Sequence, residues 1–356
     1  MRVLPRGREV ALAKSPYRSQ TSDLTRTFDS MMSRRKPRIG LALGSGASRG
    51  WSHIGIIKAL LAEDVHPDVV CGTSVGAIIG ASYAAGNMQA LEDWVLSSKR
   101  SDVLRFFDVG IAQSGFVDTK RLSWFLHNYV AAEEQRVEEL PTKFAAVSTD
   151  LQTGREVWLT EGGVADAVRA SMAMPGLFPA VRVDDRWLVD GGLVNPVPVT
   201  VCHALGADVV IAVNLNSGIV ARIDDKAQKE LPDAEEAKEA KEAEEADEAG
   251  EGGEETSGLL HSFKQQAREY SSNIFPSRES KDDAPGLFYA IAKSINIFQD
   301  RITRSRLAGD PADVLLAPRV SHIGMLEFHR AEEAIEEGQR CVRAAAGEIR
   351  RVTGQR

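Results

Sequence analysis

Short apolar runs with charge only at an end alternate along this chain with stretches in which apolar positions recur every three or four residues. The first kind includes Arg38-Ile39-Gly40-Leu41-Ala42-Leu43, Asp68-Val69-Val70-Cys71-Gly72, Phe144 to Asp150 and Asp208 to Val213. Such runs predict strands covered on both faces. The second kind predicts helices over Trp51–Glu63, 75–86, Leu91–Ser98 and Val164–Met172, the first with Ile54, Ile57, Leu60 and Leu61 on its core face. Gln152-Thr153-Gly154 predicts a turn that pairs Glu156–Leu159 back on the preceding strand. Trp187-Leu188-Val189 reads as a strand ending in Asp190-Gly191-Gly192, and Asn195-Pro196-Val197-Pro198 as the opening of a helix. A closing strand is expected over 313–316 and a charged C-terminal helix from Leu326 to about Arg350.

Other segments lack this rhythm. Residues 1–36 are basic and aperiodic and read as a solvated tail, with contact to anionic lipid or a targeting role as the alternatives. Residues 101–141 read as a helical excursion whose Leu122, Phe125, Leu126 and Tyr129 either join the core or cover a lipid-sized groove. From about Asp224 to Thr256 the chain is almost entirely Glu, Ala, Lys, Asp and Gly, a solvated insertion with no apolar face to bury. Residues 258–300 carry amphipathic pieces, with Phe263, Phe275, Leu287, Phe288, Ile291, Ile295 and Ile297, that either pack as core or dock on a membrane. No charge falls between Asp68 and Glu92, but glycines and polar residues break that run, so a buried strand and helix explain it better than a membrane span.

The 356 residues suffice for one large domain with insertions or two modest ones, and the hydrophobic fraction of 43% is ordinary for a globular protein. The net charge of −8 argues against non-specific nucleic-acid binding. Cys71, Cys202 and Cys341 are far apart and without CxxC spacing, which reads as reduced thiols of a cytoplasmic protein and not as a disulfide framework or zinc site. No apolar run follows the basic start, so no secretory signal is expected.

The chemistry concentrates at Gly72-Thr73-Ser74-Val75-Gly76, between a predicted strand and a predicted helix. This is the setting of a nucleophile elbow, in which glycines on either side allow the turn that lifts a serine hydroxyl clear of the sheet. A serine alone is a weak nucleophile and needs a base and an oxyanion site. Gly44-Ser45-Gly46-Ala47-Ser48-Arg49-Gly50, also between strand and helix, exposes backbone amides that suit an anion. It lacks the closing Gly-Lys-Ser/Thr of a phosphate loop and the full spacing of a dinucleotide fingerprint, so an oxyanion hole is favoured. Histidines offer no convincing base: His203 and His329 lie in helices, His261 borders the insertion, His53 opens a helix, and only His322 follows a late strand. Asp190, ending a buried strand before two glycines, is the better acceptor for the serine proton.

Together these residues resemble the patatin-like phospholipases, in particular their bacterial branch. Gly44–Gly50 resembles that family's glycine-rich oxyanion loop, with Arg49 at its basic position; Gly72–Gly76 resembles its elbow, and Asp190-Gly191-Gly192 its aspartate motif. The flanking Met174-Pro175-Gly176 and Asn195-Pro196-Val197-Pro198 extend the match. The resemblance implies a three-layer α/β/α fold with a mostly parallel sheet, formed by 37–218 and completed by 286–350, with 219–285 as an insertion. It implies a metal-free and cofactor-free serine lipid acyl hydrolase acting on a lipid or lysophospholipid, in peripheral contact with the inner membrane face and without nucleic acid. Ser74 would attack, Asp190 would take its proton, and Ser45, Gly46 and Ala47 would supply oxyanion amides. Gly44, Arg49, Gly50, Gly72, Gly76, Gly191 and Gly192 would support them, Arg49 by fixing the loop or meeting a phosphate head group. The commonest family form has glycine where this chain has Ser45 and Ala47, which is tolerable if neither requires positive φ. Two other readings stay open: a non-enzymatic, membrane-associated protein on the same fold, and a thioesterase- or protease-like Ser-His-Asp hydrolase with an essential histidine.

Overall fold

A computed structural model describes residues 36–98, 119–218 and 287–355; the basic tail up to residue 35, residues 99–118 of the expected helical excursion and its approach, the acidic insertion, Phe263 and Phe275 lie outside the described residues. The strands are β1 (Ile39–Leu43), β2 (Val69–Thr73), β3 (Lys143–Asp150), β4 (Glu156–Leu159), β5 (Val181–Val183), β6 (Arg186–Asp190), β7 (Val209–Val213) and β8 (Val314–Leu316). The helices are α1 (Ser52–Ala62), α2 (Val75–Ala84), α3 (Met88–Ser97), α4 (Thr119–Tyr129), α5 (Val164–Ser171), α6 (Val199–Ala204), α7 (Leu287–Gly309) and α8 (Ala331–Thr353).

The sheet runs in the order β5-β6-β3-β2-β1-β7-β8, with β4 pairing β3. β3, β2, β1, β7 and β8 are mutually parallel, and β4, β5 and β6 add antiparallel pairings. Every residue of β1 and β2 is buried, because helices cover both faces of the parallel core. Ile39, Leu41 and Leu43 face a thick layer that includes α1, α2 and α8. Ala42 faces a thinner one of small residues with Val199, Val201 and Cys202 of α6. The alternation of large and small residues along β1 is thus the two-residue period of a strand between unequal layers. Each fully buried Leu or Ile of the thick layer contributes roughly 2 kcal/mol.

Register explains how residues 116 positions apart meet. β2 and β4 both pair with Ala146 and Val147, so they lie on opposite sides of β3; β4 and β6 both pair with Ser148 and Thr149, so they too lie on opposite sides. β2 and β6 therefore share one side of β3 and approach each other end to end. Thr73 pairs with Val147 and Asp190 with Ser148, adjacent residues of one strand.

Four predicted boundaries change. The C-terminal helix begins at Ala331, not Leu326, and runs to Thr353; Leu326 and Phe328 belong to a loop that lines a pocket. β5, too short to announce itself, was not expected. The amphipathic pieces from Leu287 onward form one helix, α7. The proline-rich run 195–198 precedes α6 instead of forming its first turn. Among the described residues no helix is long and apolar enough to cross a membrane.

Candidate active site

Ser74 leaves β2 with φ +59° and ψ −122°, a region that a non-glycine residue adopts only when its surroundings impose it. The neighbours impose it by contact. A Cβ on Gly72 would lie 2.3 Å from the Gly76 carbonyl oxygen, and one on Gly76 would lie 2.1 Å from that of Leu43. The turn is therefore closed against itself and against β1. The Ser74 amide donates to Ser171 Oγ (2.9 Å), whose hydroxyl donates to the Val147 carbonyl (2.6 Å). This tie fixes the elbow to β3 and consumes the Ser74 amide.

Ser74 Oγ donates to Asp190 Oδ2 at 2.6 Å. The other carboxylate oxygen accepts from the Gly192 amide at 2.7 Å, and the Asp190 carbonyl accepts from Thr149 Oγ1 at 2.8 Å. Gly191 is pressed against β3, where a Cβ would meet the Val147 carbonyl oxygen. Asp190 is buried, and this desolvation raises its pKa from 3.8 to about 6, although the hydrogen bonds from Ser74 and Gly192 pull the other way. Near neutral pH it is mostly ionised, yet a stronger base than an exposed carboxylate.

The glycine-rich loop is held from several sides. Gly44 donates to the Val213 carbonyl at 3.1 Å, and His53 Nε2 bonds the Gly44 carbonyl at 2.8 Å. That bond leaves His53 a buried loop anchor, neutral because burial lowers its pKa to about 4. Arg49 is buried too, its Nε bonding the Gly46 carbonyl (3.0 Å) and its Nη2 bonding Asn296 Oδ1 (3.1 Å), so the guanidinium braces the loop. Gly50 packs against Val75, leaving no room for a side chain.

The expected set of oxyanion amides shrinks. The Ser45 amide is engaged by the Pro196 carbonyl at 2.9 Å, because the 195–198 segment runs beside the loop and proline leaves an acceptor there. The amides of Gly46 and Ala47 have no hydrogen-bond acceptor among the described residues. Ala47 takes φ +51°, the left-handed conformation in which glycine would be unstrained.

Ser74 opens onto an apolar pocket with about 920 Å³ of empty space, part of it open to solvent. Its walls include Ala47 of the loop, Ile78 of α2, Trp94 of α3, Phe125 of α4, Leu177 and Phe328. Met174 and Phe178 line it as well, so the rigid 174–179 segment faces the pocket. Trp94 and Phe125 pack at a tilt of 53° with centroids 4.6 Å apart. The 320–330 loop is tied to the glycine-rich loop, with Ser48 Oγ donating to the Gly324 carbonyl at 2.6 Å and Trp51 Nε1 to that of Phe328 at 3.1 Å.

Histidines stand apart from this arrangement. His322 pairs with Glu333, and His203 bonds the Ala207 carbonyl beside α6. No histidine among the described residues is hydrogen-bonded to Ser74 or Asp190. Nor does any group of His, Cys, Asp or Glu among them have the arrangement to hold a metal ion.

Residues 41–203 match the family model described as patatin-like phospholipase. An uncharacterized NTE family protein of Mycobacterium tuberculosis is 34% identical over 324 residues, covering 85% of this chain and 89% of that protein. The chain belongs to the patatin-like phospholipase family. Membership identifies it with lipid hydrolases in general. A patatin-like phospholipase domain-containing protein 6 of Mus musculus is 31% identical over 186 residues, which are 50% of this chain and 14% of that protein. Among solved structures, VipD from Legionella pneumophila aligns over 88% of this chain and 77% of that one, at 13% identity and a TM-score of 0.33, a likeness that adds no argument.

The structure brings together the candidates Ser74 and Asp190 and sets the glycine-rich loop beside them, and it adds Ser171, for which the sequence suggests no role. Ser171 fell within the helix predicted over Val164–Met172, where no local pattern marks it.

Proposed function

We propose that this patatin-like chain hydrolyses a carboxylic ester of a lipid or lysophospholipid through a Ser74–Asp190 dyad. The observation that carries the reading is the 2.6 Å hydrogen bond from Ser74 Oγ to a buried carboxylate at an apolar pocket. As Ser74 Oγ bonds to the ester carbonyl carbon, its proton passes to Asp190 Oδ2, and the carbonyl oxygen becomes an oxyanion held by the Gly46 and Ala47 amides. Collapse breaks the bond to the alcohol, which leaves with the proton from Asp190. Water then attacks the acyl-serine, giving its proton to Asp190, and the second collapse frees the fatty acid as that proton returns to Ser74. A carboxylate is a weak base for a hydroxyl, so the oxyanion contacts carry much of the barrier lowering, about 3–4 kcal/mol for one well-placed donor. The aromatic and sulfur-containing walls suit an acyl chain, which brings no hydrogen-bonding groups of its own.

The test is a panel of phospholipids, lysophospholipids and short p-nitrophenyl esters, with products read by mass spectrometry. Wild type should release fatty acid, and Ser74→Ala and Asp190→Asn should each lose at least about 10³-fold. No hydrolysis of any ester by folded wild type would return the chain to the non-enzymatic reading. Retained activity in Asp190→Asn with loss in His322→Ala would replace the dyad by a triad.

A further inference from the structure

One carboxamide joins the two halves of the candidate active site. Gln299, buried on α7, accepts through Oε1 from Ser45 Oγ (3.1 Å) in the glycine-rich loop and from Asn216 Nδ2 (3.1 Å) just beyond β7. Asn216 Nδ2 also reaches Ser45 Oγ at 3.4 Å, so three buried side chains close a small ring of contacts. Gln299 Nε2 lies against Gly192, whose amide holds Asp190 Oδ1. A Cβ on Gly192 would fall 2.4 Å from Gln299 Nε2 and 2.9 Å from Asp190 Oδ1. One turn earlier on α7, Asn296 Oδ1 accepts from Arg49 of the same loop. Residues three apart share a helix face, so that face holds the loop at two points and the aspartate turn at a third.

We infer that Gln299 is a positioning residue, keying the oxyanion loop to the Asp190 turn through the hydroxyl of Ser45. The inference rests on the hydrolase reading above and assigns a role to α7 within it. It also accounts for a serine at a position where the commonest family form has glycine: the hydroxyl is used, while the Ser45 amide is already engaged by Pro196. A loop positioned in this way affects the transition state more than ground-state binding, since all of the pocket wall but Ala47 and Trp51 comes from elsewhere in the chain.

The experiment compares kcat and KM for wild type, Gln299→Leu, Ser45→Ala and the double variant, with thermal melts alongside. Each single variant should lose about tenfold to a hundredfold in kcat, with KM within about twofold of wild type. The double variant should fall little further than the worse single one, because both remove the same contact. Gln299→Glu keeps an acceptor for Ser45 and Asn216 but brings a second carboxyl near Asp190. It should retain more kcat than Gln299→Leu at high pH, with the acid limb of its rate profile moved upward. Should Gln299→Leu fail to fold, Ser45→Ala and Gln299→Glu still decide the matter. Folded variants with wild-type kcat, or losses that multiply in the double variant, overturn the positioning role while leaving the hydrolase reading in place. A wild type that hydrolyses no ester overturns both.

Discussion

Replacing Asp190 by asparagine should make the protein inactive and more stable, the second effect following from how the carboxylate is buried. Its pKa is raised from 3.8 to about 6 by desolvation. Between those values the folded state binds the proton more tightly than the unfolded chain, so stability declines as pH rises through this window. Below about 4 both states are protonated and the penalty vanishes; above about 6 it is present in full. The difference between the two pKa values corresponds to about 3 kcal/mol. Asparagine has nearly the same shape, can accept from the Gly192 amide, and carries no charge at any of these pH values. Asp190→Asn should therefore gain up to about 3 kcal/mol at pH 8, a rise in Tm on the order of 5–10 °C, and the gain should shrink toward zero near pH 4. Thermal melts of both proteins from pH 4 to pH 8 supply the comparison. A variant melting no higher than wild type at pH 8, or a gap that ignores pH, would refute the argument that Asp190 is held ionised at the expense of stability.

Three further expectations follow from the same geometry. The kcat/KM of wild type should rise with pH and level off above about 6, with a slope of one on the acid side as Asp190 loses its proton; a flat profile across that range would exclude Asp190 as the base. Ala47→Gly removes a left-handed alanine and should stabilise by up to about 1 kcal/mol with activity kept, as read by denaturant titration, whereas a destabilised variant would show that the alanine methyl packs productively. Leu177→Trp should shorten the pocket, cutting kcat/KM for long-chain esters by about tenfold or more while leaving a short p-nitrophenyl ester within about twofold; equal losses on both would place the acyl chain elsewhere.

What the sequence disclosed and what it concealed divide along physical lines. Continuous apolar runs marked β1, β2, β3 and β7 because strands covered on both faces can carry no polar residue cheaply. The elbow was legible because Gly72 and Gly76 meet backbone atoms within a few residues of each other or at the adjacent β1. Asp190 was legible from its two following glycines, one pressed on β3 and the other donating to the carboxylate. By contrast, the withdrawal of the Ser45 amide depends on a carbonyl at Pro196, and no local pattern in the loop announces it. The Gln299 contact spans 254 residues, and a lone glutamine in an amphipathic helix is indistinguishable from a surface one. The expected start of the C-terminal helix at Leu326 came too early, because Leu326 and Phe328 lie in a loop that lines the pocket. The end-to-end meeting of β2 and β6 on β3, which brings the dyad together, is a matter of register and was out of reach of periodicity.

The central claim is that Ser74 is a nucleophile activated by Asp190, and covalent labelling addresses it most directly. Wild type, Ser74→Ala and Asp190→Asn are incubated with a fluorophosphonate, and the adduct is located by peptide mass spectrometry. The account predicts one adduct on wild type, at Ser74, none on Ser74→Ala, and labelling of Asp190→Asn slowed by at least about a hundredfold. Modification of a different residue, or labelling of Asp190→Asn at the wild-type rate, would contradict it.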